Sequence, residues 1–169
     1  MWLNPNFGGI LLELKALPNW VLTKAIIRDG EPTKVPYQPN GRLVSVTDPN
    51  TWSKFEAVKA AFHAAKYIGV GFVLDGQPHF GGKYLHGFDW DDCISEKYLD
   101  PAVKAIVNSL GISRLEISIS GTGLRGFFLH DTLLPSRKTT IEDRSVELYS
   151  DKRYMTTTGR AFQGWECLS

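Results

Sequence analysis

Apolar and polar residues alternate with a period of two along most of this chain, and the period lengthens to that of a helix in only two places. Asn19 to Ile27 is rich in β-formers and runs into Arg28-Asp29-Gly30, a hairpin signal. Lys34-Val35-Pro36-Tyr37 reads as a short returning segment, with Pro36 favouring a sheet edge or a bulge. Asn40-Gly41 marks a second tight turn. Ser53-Lys54-Phe55-Glu56 has the pattern of a capping box, and Phe55, Val58, Phe62 and Ala65 recur at helical spacing, which predicts a helix to about Lys66.

Ile68 to Leu74 is an apolar strand closed by Asp75-Gly76, and Gln77 to Gly82 is a polar, glycine-rich connection. Tyr84 to Asp91 is a strand carrying acids. Tyr98 to Leu110 predicts a second helix, with Gly111 as its C-terminal cap. Arg114 to Ile119, Leu124 to His130, Arg144 to Tyr149 and Arg153 to Thr158 read as four further strands, while Asp131 to Asp143 reads as a loop. Hairpins dominate over regular strand–helix alternation, so the expected class is α+β with antiparallel pairing. The 169 residues suffice for one domain, or for two small lobes that share a core.

On a strand, alternate side chains share a face, so Asp89 and Asp91 point one way while Phe88 and Trp90 point the other. Their Cα atoms would lie roughly 6.6 Å apart, close enough to converge on divalent ions spaced about 3.5–4 Å apart. Like charges so placed repel and favour a neutralising cation. An isolated pair of this kind is more often a solvated face, but this one is flanked by large apolar residues. A calcium loop fails, because its sixth position would be Ile94 where glycine is needed and its twelfth Asp100 in place of glutamate. Glu147 supplies a third acid, between Val146 and Leu148 on another strand.

Ser120-Gly121-Thr122-Gly123-Leu124-Arg125 is a small-residue turn ending in a cation. Its glycines would let backbone N–H groups approach an anion, and Arg125 could grip phosphates in forked geometry. It is not a P-loop, since no G-x4-G-K-[ST] occurs, and no helix follows it as a dinucleotide-binding fingerprint requires. Arg153 and Tyr154 are candidates for phosphate and sugar contacts. The four histidines are scattered and read as structural or surface residues, His86 and His130 lying on the faces opposite Asp89 and Arg125.

Composition narrows the class further. Hydrophobic and charged fractions of 43% and 22% are those of an ordinary soluble globular protein, with no apolar run of membrane-spanning length and no signal-peptide pattern. Cys93 and Cys167 are too few and too far apart for a disulfide framework or a cysteine-based zinc module, and a reducing cytoplasm is the simplest home. A net charge of +1 is too small for a protein that coats duplex DNA. Asp89, Asp91, Asp92, Glu96 and Asp100 concentrate the acids, whereas Arg137, Lys138, Arg144, Lys152, Arg153 and Arg160 gather later.

Taken together and in order, these motifs resemble the archaeo-eukaryotic primase superfamily, specifically the primase-polymerase domain of phage and plasmid replication proteins. The resemblance runs from about Asn19 to Gly164. It includes Asn19-Trp20-Val21-Leu22, Thr33-Lys34-Val35-Pro36-Tyr37, Pro39-Asn40-Gly41, Thr47-Asp48-Pro49 with Trp52, and Gly69-Val70-Gly71-Phe72-Val73-Leu74. The family's hhhDhD motif falls at Asp89 and Asp91, its second motif at Ser120 to Arg125, and its third at Glu147-Leu148-Tyr149 followed by Arg153 to Gly159. The resemblance implies a primase-like catalytic core with an RRM-like antiparallel sheet and a small N-terminal α/β lobe, in residues 1–169 as a single domain of two packed lobes.

The same resemblance implies a DNA-templated nucleotidyl transferase, a primase or DNA polymerase. Asp89, Asp91 and Glu147 would hold two Mg²⁺ or Mn²⁺ ions. Ser120, Gly121, Thr122, Gly123, Arg125, Arg153 and Lys34 would bind the nucleotide's phosphates, and Tyr154 would sense the sugar 2′ position. The implied partners are NTP or dNTP, a single-stranded DNA template with its primer, and a replicative helicase in cis or trans; the chain itself is a standalone protein or a fragment ending near Ser169. One departure stands out, since the second motif typically ends in histidine and here ends in Arg125, which cannot donate a proton near neutral pH. Two rival functions remain: a catalytically silent module that binds single strands by aromatic stacking, and a metal-dependent nuclease.

Overall fold

A computed structural model describes residues 2–94, 101–141 and 143–163. The chain runs through a short helix α1 (Leu12–Lys15), a hairpin of β1 (Trp20–Arg28) and β2 (Glu31–Tyr37), helix α2 (Phe55–Ala61) and strand β3 (Gly69–Asp75). It continues through β4 (Pro78–His79), β5 (Lys83–Trp90), α3 (Pro101–Ser109), β6 (Leu115–Ile117), β7 (Leu124–His130), β8 (Arg137–Ile141) and β9 (Arg144–Tyr149). The chain then crosses back through β10 (Asp151–Thr157). Among these residues a four-stranded sheet has the order β10-β3-β1-β2, and a second sheet has the order β6-β7-β5-β9-β8 with β4 beside β5. All pairings are antiparallel. The architecture is α+β, as the hairpin-rich pattern predicts.

Two apolar clusters hold the layers together. Trp20, Leu22, Val70, Phe72 and Leu74 on one face of the first sheet pack with Phe55 and Val58 of α2 and reach Leu85 and Phe127 of the second sheet. The Trp20 ring meets Phe55 and Phe72 edge-on at 4.9 and 5.3 Å. Phe88, Trp90, Leu115 and Leu124 on the far face of the second sheet pack under Val103 and Val107 of α3. The sheets come closest at Gly87, where a Cβ would stand 3.0 Å from Leu74 and 3.1 Å from Met155. Removing apolar surface from water at about 25 cal/mol per Å² is what drives this layering.

The Asp29-Gly30 hairpin forms as predicted, both residues having positive φ (51° and 83°). Pro36 lies on β2, the edge of its sheet, where no partner needs its N–H. Gly111 follows α3 at φ 65°, as a C-terminal cap should. The expected start of that helix at Tyr98 lies outside the described residues, as do Glu96, Asp100, Gly164 and Cys167.

Three sequence-based expectations are corrected. Ser53 is not a helix cap: its backbone exchanges 3.0 Å hydrogen bonds with Trp20, and α2 starts beyond it with no side-chain cap. That helix also ends at Ala61, because Phe62 turns into an extended conformation and sets its ring against Phe7 at 5.6 Å. The segment 131–143 is not all loop, since Arg137–Ile141 forms β8. Its Arg-Lys-Thr-Thr sequence shows no hydrophobic alternation because the strand is a solvent-exposed edge, made by backbone pairing to β9. No helix among the described residues is long and apolar enough to cross a membrane.

His86 is fully buried on the core face of β5, stacked on Phe128 at 5.1 Å. Its Nδ1 lies 3.1 Å from the Tyr84 carbonyl, and its Nε2 accepts the Leu134 N–H at 3.0 Å, so the ring is held neutral. Burial lowers its pKa from 6.5. The unfolded chain therefore takes up the proton first as pH falls, and the stability present above about pH 6.5 is lost toward the folded pKa, by at most about 1.4 kcal/mol per pH unit. The urea midpoint of the chain is expected to fall between about pH 7 and pH 5.5, and His86→Gln to flatten that slope. An unchanged slope in the variant would contradict this assignment.

Candidate active site

Antiparallel register places one file of charged side chains across the second sheet. Glu116 of β6 stands opposite Arg125 of β7, Arg125 opposite Asp89 of β5, Asp89 opposite Glu147 of β9, and Glu147 opposite Lys138 of β8. Directly opposed residues share a face, so all five project toward the first sheet and its open edge. Phe88 and Trp90, one position to either side of Asp89, are thereby committed to the core under α3. Local alternation thus produces the acid and its apolar flanks together, and long-range pairing selects their neighbours.

At the centre, Arg125 and Asp89 form a forked ion pair, with Nε donating to Oδ1 at 2.7 Å and Nη2 to Oδ2 at 2.9 Å. Their side chains are only 5% and 8% exposed, which makes this a buried pair. Nη1 donates to the Thr156 carbonyl at 3.1 Å and to the Thr156 hydroxyl. Burial disfavours the guanidinium's charge, but the Asp89 carboxylate more than restores it and the pKa is raised. Behind it, buried Glu116 accepts from the Thr157 hydroxyl at 2.8 Å and from the Thr158 and Gly159 N–H groups at 2.9 and 3.0 Å.

Glu147 is also fully engaged. It accepts from Lys138 at 2.7 Å, Ser145 at 3.3 Å and the Tyr149 hydroxyl at 2.5 Å. Burial pushes its pKa up, but these donors outweigh it and hold the carboxyl below its ordinary range. Arg153 lies over the Tyr149 ring, 5.2 Å from its centre.

Asp91 differs from its neighbours. Its backbone N–H still pairs with the Ser145 carbonyl at 3.0 Å, one step past the end of β5. Its half-buried carboxylate accepts no hydrogen bond among the described residues, and burial followed by the Asp89 charge raises its pKa. Across the site stands Lys34 of β2, its pKa lowered by burial and by Arg125 against the pull of Asp89, Asp91 and Asp92. Lys34, Asp89, Asp91, Arg125, Tyr149, Tyr154, Met155 and Thr156 together line an open pocket of about 230 Å³. Tyr154 shows it a ring face only: its hydroxyl is buried, and its ring lies across Gly71, where a Cβ would sit 2.7 Å from Cδ2.

The 120–123 turn does not line this pocket. It buttresses the acids from outside through a chain of hydroxyls, Ser118 to Ser120 at 2.9 Å, Ser120 to Thr122 at 3.0 Å, and Thr122 to Asp92 at 2.8 Å. Gly123 is required by close approach, since a Cβ there would meet the Trp90 carbonyl at 2.6 Å and the Asp91 Cα at 3.3 Å. Of the predicted site residues, the fold brings Lys34, Asp89, Asp91, Arg125 and Tyr154 to the pocket and Glu147 and Arg153 to its rim. Among the described residues no group of three or more acids, histidines or cysteines is gathered closely enough to hold a metal ion. Sequence reasoning missed Glu116, Tyr149 and Thr156. Glu116 was findable, because Leu115-Glu116-Ile117 shows the same apolar flanking that singles out Glu147.

No protein-family model matches the chain. Over 157 residues, 89% of its length, it is 34% identical to a DNA primase-polymerase of Nitratiruptor phage NrS-1. The chain belongs to the primase-polymerase family. It spans 20% of that relative's length. Within this segment, Arg125 and Asp89 form the most deeply buried ion pair among the described residues of the site.

Breaking such a pair on one side strands a buried charge, at a cost of about 3–5 kcal/mol, whereas replacing both partners by apolar groups is often near neutral. Arg125→Met is therefore expected to lose about 3–5 kcal/mol in urea unfolding, and Asp89→Leu/Arg125→Met to recover most of it. Equal losses in the single and double variants would show that the pair does not act as a unit.

Proposed function

We propose that this chain is a DNA-templated nucleotidyl transferase, a primase or DNA polymerase of phage- or plasmid-type replication. In this reading it is built on the archaeo-eukaryotic primase core, its second sheet is the RRM-like sheet of that core, and its two lobes act as one domain. The observation that carries the reading is Asp91, a half-buried acid beside Asp89 that accepts no hydrogen bond among the described residues and faces Lys34 across an open pocket. A site that needs a cation on one wall and offers one on the other suits a metal-bound polyphosphate. The similarity to a phage primase-polymerase points the same way.

The side chains at the pocket fit a divalent cation, Mg²⁺ or Mn²⁺, at Asp91 with Asp89 beside it. When bound, such an ion neutralises the triphosphate and lowers the pKa of a primer 3′-hydroxyl. Lys34 supplies a compact positive charge for phosphate oxygens. Arg125 is spent on Asp89 and Thr156, so its part is to fix the Asp89 carboxylate in place. Tyr154 and Met155 give the pocket an apolar wall against which a base or sugar can lie. Exposed Lys138 and Arg153 at the rim offer phosphate contacts to a template or primer strand. The 3′-oxygen then bonds to the α-phosphorus as the bond to pyrophosphate breaks. NTP or dNTP, a single-stranded template with its primer, and a replicative helicase in cis or trans are the partners this reading requires.

A catalytically silent single-strand-binding module is the second reading. One observation favours it: both Asp89 oxygens are held by Arg125, and no three-acid cluster forms among the described residues.

Primer extension on single-stranded DNA with labelled dNTP or NTP and Mg²⁺ or Mn²⁺ separates the two. The chain is expected to extend the primer, and Asp91→Asn to slow extension about a hundredfold or more, the loss of several kcal/mol of charge stabilisation. Template binding without extension in either protein would leave the silent module standing.

A further inference from the structure

Each acid at this site has a different fate. Asp89 is matched by the forked Arg125 guanidinium, and Glu147 by Lys138 with two hydroxyl donors. Only Asp91 keeps its carboxylate free of hydrogen bonds among the described residues. Both Asp89 oxygens already face a fixed cation, so the carboxylate left for an exchangeable ion is that of Asp91.

Resting on the nucleotidyl-transferase reading, we infer that this site takes one divalent cation, held at Asp91, and that the buried Arg125 guanidinium supplies the positive charge a second ion would otherwise bring to Asp89. Arg125 cannot lose its proton and is anchored by hydrogen bonds to Asp89 and Thr156, with Glu116 opposite it on β6. Displacing it with a hydrated metal ion would leave a guanidinium buried without its partner, which is strongly unfavourable. Glu147, for its part, would have to give up Lys138 and Tyr149 to join a metal centre. The site is thus a fixed cation paired with one exchangeable cation, and Glu147 is a positioning residue that holds Tyr149 in the pocket wall and Lys138 at the rim.

Equilibrium dialysis against Mn²⁺, with and without a non-hydrolysable dATP analogue, tests this by metal count per chain. Wild type is expected to saturate at one Mn²⁺, Asp91→Asn to bind none above background, and Glu147→Gln to keep its ion. Arg125→His, which frees the Asp89 carboxylate from the fork, is expected to raise the count to two; if it fails to fold, the wild-type count and the two acid variants decide alone. Two ions on wild type, or loss of the ion in Glu147→Gln, would overturn the inference while leaving the polymerase reading intact. No ion on wild type in the presence of the analogue would overturn it as well. Primer extension judges the polymerase reading separately, so the two can fail independently.

Discussion

Burying an arginine and an aspartate side by side is tolerable only if nearly every polar atom of both finds a partner, and the second sheet is arranged around that requirement. Among the described residues Asp89 has no protein donor but Arg125, and Arg125 reaches beyond Asp89 only to Thr156 at the edge of the first sheet. The pair therefore ties β5 and β7 to β10, and β10 is the strand that returns from the second sheet to the first. An ion pair so enclosed adds little net stability over an apolar pair of the same shape. It does penalise any other register, because a slip of one residue would put both charges in the Phe88–Trp90 core.

The chemistry of the pocket follows from how charge is shared along the file from Glu116 to Lys138. Asp89, Glu116 and Glu147 are matched by donors within the fold, whereas Asp91 accepts no hydrogen bond among the described residues. Asp91 stands apart because β5 ends at Trp90, so its carboxylate passes the last cross-strand neighbour while burial and Asp89 still press on it. Lys34 faces it from the far edge of the other sheet. Membership of the primase-polymerase family gives this arrangement a natural use. Arg125 stands at its centre as a fixed cation.

The glycine-rich turn illustrates how a motif can serve a site without lining it. Its glycines suggest an anion cradle, but Gly123 is needed for close packing on Trp90 and Asp91, and its hydroxyls are spent on one another and on Asp92. Its contribution is to hold the chain that carries Asp91 and Asp92 against the sheet. That effect is invisible in composition, where such a turn and a phosphate loop look alike.

Much of the fold was legible because alternation, turn chemistry and helix caps are local. The Asp29-Gly30 hairpin, the β5 and β7 strands and the Gly111 cap each follow from a few adjacent residues. The same local logic put Asp89 and Asp91 on one face with Phe88 and Trp90 on the other. Failures came where partners distant in sequence overrode local preference: Ser53 was claimed by Trp20, Phe62 by Phe7, and the polar strand β8 by β9. Site residues divide in the same way. The acids, Lys34 and Arg125 were chosen by residue type and order, whereas the pairing of Arg125 with Asp89, the capture of Glu147 by Lys138 and Tyr149, and the isolation of Asp91 are matters of register between strands. Register is set by which faces can be buried together across the whole chain, and no window of sequence contains that information.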